Sequence, residues 1–251
     1  MGEGHYGQLR PDLPELTGGP AVARWVAAGC LALVLGAAVG PALAGPIDEK
    51  VIPLERYTSP KGRTLAAAHR AQLLKYSEYV YGCLPWLDVQ KQSIGFQRPK
   101  SAESDDRYFS TWVIIDQKED AQFAASPQVR RMSAMFSRFG MDLMRRMARL
   151  QDIVGDGDVH GFSVVLSWLK PGSLRSGAQP VNESVAVFMD KAGALAYLDG
   201  RLPAAELAGR VRSLGFDGQK DLGPITLEIW DDTFMATYQI PNYDPPAGVT
   251  C

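Results

Sequence analysis

The chain has 251 residues, of which 46% are hydrophobic and 22% charged, and a formal net charge of -2. It is too apolar for disorder along its whole length and is sized for one compact domain behind a targeting segment. With 26 Lys and Arg against 28 Asp and Glu, bulk attraction to nucleic acid or anionic lipid is excluded, so no nucleic-acid partner is expected and electrostatic binding must come from a local patch.

From Trp25 to Ala44 the sequence runs WVAAGCLALVLGAAVGPALA, uncharged, and it ends in Ala42-Leu43-Ala44, the small-x-small pattern that suits signal peptidase. Pro41 breaks a helix just before that point. The expectation is a signal peptide over residues 1–44, cleaved between Ala44 and Gly45, and a periplasmic or secreted product. The alternative is an uncleaved inner-membrane anchor with the domain outside the cytoplasm, because about 20 apolar residues suffice to span a hydrocarbon core of about 30 Å. In an oxidising compartment Cys83 and Cys251 are expected to pair. A bridge closing so long a loop contributes on the order of 4 to 5 kcal/mol of nominal entropic stabilisation.

Residues 45–58 lack periodicity and read as a lead-in arm to a single domain over 59–251. Ser59-Pro60 supplies an N-cap followed by proline at the first helical position. Leu65, His69, Leu73, Tyr76, Val80 and Cys83 then recur every three or four residues, which predicts one helix ended by Gly82 and Pro85. LPWLDVQ reads as a turn anchored by Trp86 and Leu87. Gln92–Arg98 and Tyr108–Asp116 are β-branched and aromatic, hence two strands. Ser126-Pro127 repeats the helix-start signal, and Val129, Met132, Phe136, Phe139, Leu143, Met147 and Leu150 form the stripe of the longest helix. GFSVVLSWL and ESVAVFMD predict a long hairpin. Lys191–Ser213 reads as helical with a break near Gly200 and Pro203, and PITLEIW and FMATYQI as a tight hairpin around Asp231-Asp232. The sum is an α+β fold: an antiparallel or mixed sheet of about six strands in hairpins, packed by two to four helices, after an N-terminal signal segment.

Residues able to carry chemistry are sparse. Beyond the apolar segment the histidines are His69 and His160, with no HxxxH or CxxC spacing, so no metal site and no cofactor are expected. GxSxG, Walker and GxGxxG motifs are absent. Catalytic candidates are His160 with Asp156 and Asp158 from the turn after the long helix, and the pairs Asp105-Asp106 and Asp231-Asp232. Carboxylates serve acid/base chemistry when burial or a neighbour moves the pKa, although turn chemistry explains both pairs without it. Binding candidates are Arg130, Arg131, Arg138, Arg145, Arg146 and Arg149, which face the single acid Asp142 on the long helix and accompany five methionines. Such a helix suits an anionic surface or an adaptable groove, or else its methionines fill the core and its arginines are solvated. The expectation is an exported envelope protein, a non-catalytic module binding an unknown protein or small ligand. The alternatives are a periplasmic or secreted hydrolase using Asp and His, and a protein held at the membrane surface by the Arg/Met-rich helix.

Overall fold

A computed structural model describes residues 48–99, 102–116, 121–173 and 180–232. The signal segment with its Ala44–Gly45 junction, the FMATYQI strand and Cys251 lie outside the described residues. Within them no helix is long and apolar enough to cross a membrane.

Ser59 caps the first helix as its sequence predicts, its Oγ accepting the Gly62 N–H at 3.1 Å. The expected single helix is two, α1 (Pro60–Ala68) and α2 (Arg70–Cys83), because His69 leaves helical geometry at φ -105, ψ 16. The stripe survives the break: Leu65, His69, Leu73, Tyr76 and Val80 are all buried. The lead-in residues also pack on the body, with Val51 and Tyr57 buried and the Tyr57 hydroxyl accepting the Phe96 N–H at 3.0 Å.

Among the described residues the sheet has seven strands: β1 (Leu87–Val89), β2 (Gly95–Gln97), β3 (Arg107–Ile115), β4 (Val159–Leu169), β5 (Asn182–Asp190), β6 (Arg212–Asp217) and β7 (Lys220–Ile225). Their order is β1-β3-β4-β5-β6-β7, with β2 also on β3. β1 was expected as a turn; its buried-exposed-buried alternation over Leu87, Asp88 and Val89 makes it an edge strand instead. All pairings are antiparallel except β3 with β4, which are parallel. A parallel pair needs a crossover rather than a hairpin, and the helices between residues 121 and 155 supply it.

Those helices are α3 (Ala121–Ala125), α4 (Gln128–Met135), a π-helical turn over Phe136–Gly140, α5 (Met141–Met147) and α6 (Gln151–Gly155). The expected long helix therefore runs from Gln128 to Met147 but widens at its centre. Glycine is required there: a Cβ at Gly140 would lie 2.3 Å from the Phe136 ring. After β5 come α7 (Lys191–Leu198) and α8 (Ala204–Leu207). The described helices thus outnumber the two to four expected, because breaks at His69, the π turn, Leu150 and Gly200 divide the apolar stripes.

The C-terminal expectation is corrected most. Arg212 and Ser213 open β6 rather than close a helix, and the hairpin turns at Gly218, where φ is 60. The PITLEIW strand is cut short, since β7 ends at Ile225. Residues 226–232 belong to no described strand, with Leu227 and Ile229 buried and Glu228 and Trp230 exposed. This strap runs along the long helix: Ser133 Oγ accepts the Glu228 N–H at 3.0 Å and, one helical turn on, Ser137 Oγ accepts the Trp230 N–H at 3.2 Å.

One face of the sheet carries Phe109, Val113, Phe162, Val164, Leu166, Trp168, Val185, Val187 and Met189, all buried with the helices in a single core. Burial of each such side chain stabilises the fold by about 1.5 to 3 kcal/mol.

Candidate functional site

The long helix decides where the arginine candidates go. Met132, Met135, Met141, Met144 and Met147 are at most 3% exposed, so all five belong to the core. The arginines separate by depth. Arg131 reaches inward, donating through Nε to Glu183 Oε2 at 2.8 Å and through Nη2 to Oε1. Glu183, fully buried, also accepts from Trp168 Nε1 at 3.1 Å and Gln128 Nε2 at 3.3 Å. Arg146 donates to Asp142 at 2.6 Å and lies 4.7 Å over the Tyr79 ring, tying α5 to α2. Arg138 meets Asp232 at 3.7 Å. Arg130 and Arg149 are exposed, and neither forms an ion pair with a described residue.

At the end of this helix the two sets of candidates converge. Arg145 donates to the Tyr197 hydroxyl and to Asp142 Oδ1 at 3.3 Å, and it stands 3.7 Å from Asp231 Oδ1. Tyr197 in turn donates to Asp231 Oδ1 at 2.6 Å. The Asp231 carboxylate, carried by the strap, is thus held by an α7 hydroxyl beside an α5 guanidinium. Burial, and then the hydrogen bond to Asp231, push the Tyr197 phenol up to about 12, so it remains a donor throughout the physiological range. Around this contact lies a groove of about 400 Å³ lined by Arg145, Arg149, Tyr197, Leu198, Gly200, Leu202, Pro203 and Asp231. It offers two cations, one phenolic donor and an apolar wall, a donor set for a carboxylate or another oxyanion.

The other acids gather at a different place. β3 and β4 start side by side, Arg107 opposite Val159, which brings Asp105 and Asp106 near Asp156, Asp158 and His160. Each acid there has its own partner. Asp156 Oδ2 bonds His69 Nε2 at 2.9 Å, Asp158 meets Lys61 at 3.2 Å and Asp105 meets Arg107 at 2.6 Å. The His69 bond holds the Asp156 carboxyl below its usual range. His160 stands 3.7 Å from Asp106, with both side chains well exposed. Asp156 and Asp158 are thus each paired with a group other than His160, while Asp231 lines the groove and Asp232 meets Arg138. Among the described residues no group of three or more His, Cys, Asp and Glu side chains converges as a metal site.

Sequence reasoning missed Tyr197 and Glu183. Glu183 had a visible signal, since it falls in the apolar register of Val185, Val187 and Met189. Tyr197 had none, because its role depends on which segment crosses α7. Cys83 ends α2 half-buried, and its expected partner Cys251 is outside the described residues. No protein-family model matches this chain, and no match to it was found among curated proteins or solved structures.

Proposed function

We propose that this is an exported envelope protein whose folded domain is a binding module, and that its binding site is the groove between α5 and α7. The ligand is anionic and presents a carboxylate or similar oxyanion. One observation carries this reading: the groove's Tyr197 hydroxyl, with Arg145 beside it, holds a carboxylate of the chain's own strap, while Arg149 on the same wall has no ion-pair partner among the described residues. Export rests on the Trp25–Ala44 segment, and with it goes the bridge between Cys83 and Cys251. The hydrolase reading has less support, since His160 and Asp106 meet on exposed ground and Asp156 is already committed to His69. The membrane-surface reading loses its methionines to the core.

The test is calorimetric titration of the full chain with an oligoglutamate peptide at low and high salt. Binding weakened by salt and removed by Arg149→Glu is the expected result, because exposed charge pairs are screened within about 10 Å at ordinary ionic strength. Equal binding by the wild type and the Arg149→Glu variant would overturn the assignment. Export is checked separately by intact mass: a species starting at Gly45, alkylated at Cys83 and Cys251 only after reduction, is expected.

A further inference from the structure

The two cations of the groove are not used alike. Arg145 Nη1 donates to Asp142 Oδ1 at 3.3 Å, while Nη2 donates to the Tyr197 hydroxyl and stands 3.7 Å from Asp231 Oδ1. Asp142 is buried and also accepts from Arg146 at 2.6 Å, so it fixes which edge of the Arg145 fork is turned to the groove. Arg149 lines the same groove and is exposed, and its guanidinium makes no hydrogen bond or ion pair with a described residue. Asp199, beside the groove's Gly200, is already closed on Arg201 at 2.8 Å. The one carboxylate in the groove thus serves one of its two cations.

We infer that the ligand, which rests on the reading of this groove as the binding site, is a short-chain dicarboxylate: two oxyanions held apart by an apolar spacer. The first carboxylate takes the place of Asp231, accepting from Tyr197 Oη and Arg145 Nη2, and the second reaches Arg149. Spacing sets the length. Arg149 follows Arg145 by four residues across the end of α5, where Ala148 keeps helical dihedrals and the Arg149 N–H bonds the Arg146 carbonyl at 3.1 Å. Residues so placed stand about 6 Å apart along the axis, a span of about four to five C–C bonds of about 1.5 Å each. Shape sets the spacer. The groove of about 400 Å³ has the size of a small-molecule site, roughly 300 to 1,000 Å³, and a lone oxyanion leaves most of it empty. Leu198, Leu202 and Pro203 on its wall suit methylene groups between the two charges. Displacement of Asp231 is within reach, since 3.7 Å from Arg145 exceeds a hydrogen bond. The strap carboxylate is tethered by buried Leu227 and Ile229, whereas a free ligand can close that gap.

Calorimetric titration of the full chain with the saturated dicarboxylates from malonate to pimelate tests this, with butyrate, inorganic phosphate and oligoglutamate for comparison. Affinity that peaks at glutarate or adipate, roughly tenfold above butyrate, is expected. Arg149→Gln should flatten the series, and Arg149→Lys, which keeps a cation, should retain a lower peak. Arg130→Gln, at an exposed arginine on α4 outside the groove, should leave the peak in place. Both arginines are exposed, so these variants should fold as the wild type does. Affinity independent of chain length would overturn the inference, as would a peak that Arg149→Gln leaves unchanged. Phosphate bound as tightly as the best dicarboxylate would overturn it too, because one dianionic centre would then bridge both arginines. In those cases oligoglutamate binding that Arg149→Glu removes would leave the groove standing as an anion site. If neither oligoglutamate nor any dicarboxylate binds, the site and its ligand class fall together.

Discussion

Two arginines on one helical run meet carboxylates in opposite ways. Near its start Arg131 grips Glu183, their side chains 11% and 0% exposed; near its end Arg145 approaches Asp231, at 25% and 67%. Desolvation separates their roles. A charge removed from water must be matched completely or it is expensive, and Glu183 is matched by Arg131, Gln128 and Trp168. An exposed pair is worth about 0 to 1 kcal/mol, because water replaces either partner at little cost. The first contact therefore holds α4 on the sheet. The second is exchangeable, as a ligand site must be.

The largest expected effect breaks the buried member. Glu183→Ala leaves the Arg131 guanidinium without its counter-ion and should cost about 3 to 5 kcal/mol in urea unfolding. Replacing Arg131 and Glu183 together by Met should recover much of that loss, since similar volume without charge removes the desolvation penalty. A loss below about 1 kcal/mol for Glu183→Ala would show that water reaches the pair and that the two contacts are of one kind.

Next comes the π turn between them. Gly140→Ala sets a methyl group against the Phe136 ring at 2.3 Å. The ring sits in a packed core, so relief requires repacking, and a cost of about 1 to 3 kcal/mol is expected by the same unfolding measurement. If the helix relaxed to α-helical pairing instead, Arg145 would rotate about the axis and groove binding would fall with stability.

How much of this contrast was legible in the sequence follows from what each contact depends on. The stripe over Met132, Phe136, Leu143 and Met147 is local periodicity, and it marked the buried face of the long helix. The α+β class was legible in the same way. The depth of Arg131 was not, because the helix alone does not say where Glu183 will stand; that follows from the β5 register against β4 and β6. PITLEIW read as one strand because Leu227 and Ile229 alternate like a strand, whereas their neighbours' N–H groups go to Ser133 and Ser137 rather than to a ladder. The groove was half legible: Arg145, Arg149 and Asp231 were named as candidates for separate reasons. Their meeting at Tyr197 depends on the path of the strap, a long-range property that no local pattern carries.

At the far end of the sheet the His69–Asp156 pair is intermediate in exposure, at 9% and 27% for the two side chains, and so it sharpens the contrast through pH. The folded Asp156 carboxyl titrates below its usual value of 3.8, first because of the His69 bond. The stabilisation is accordingly present above the unfolded pKa and is lost as pH falls through the folded one. Asp156→Asn should be less stable than the wild type at neutral pH, and the difference should shrink as pH falls through the depressed value, read from thermal midpoints across an acid series. A difference independent of pH would mean that the bond stabilises through shape alone.

The smallest effect on stability is the one that speaks most directly to function. Asp231→Asn keeps the side chain's size but removes the charge beside Arg145, so unfolding should shift by no more than about 1 kcal/mol. Binding should move the other way. The strap carboxylate competes with any ligand carboxylate for Tyr197 and Arg145, and an amide competes less well because it carries no charge. Oligoglutamate should therefore bind the variant more tightly than the wild type. Trp230, next to the substituted residue and 39% exposed, provides a fluorescence readout of the strap end on displacement. If Asp231→Asn bound the peptide more weakly instead, the carboxylate would be part of the receptor rather than a stand-in for its ligand, and the groove would have to recognise a group that Asp231 itself contacts, such as a cation or a hydrogen-bond donor.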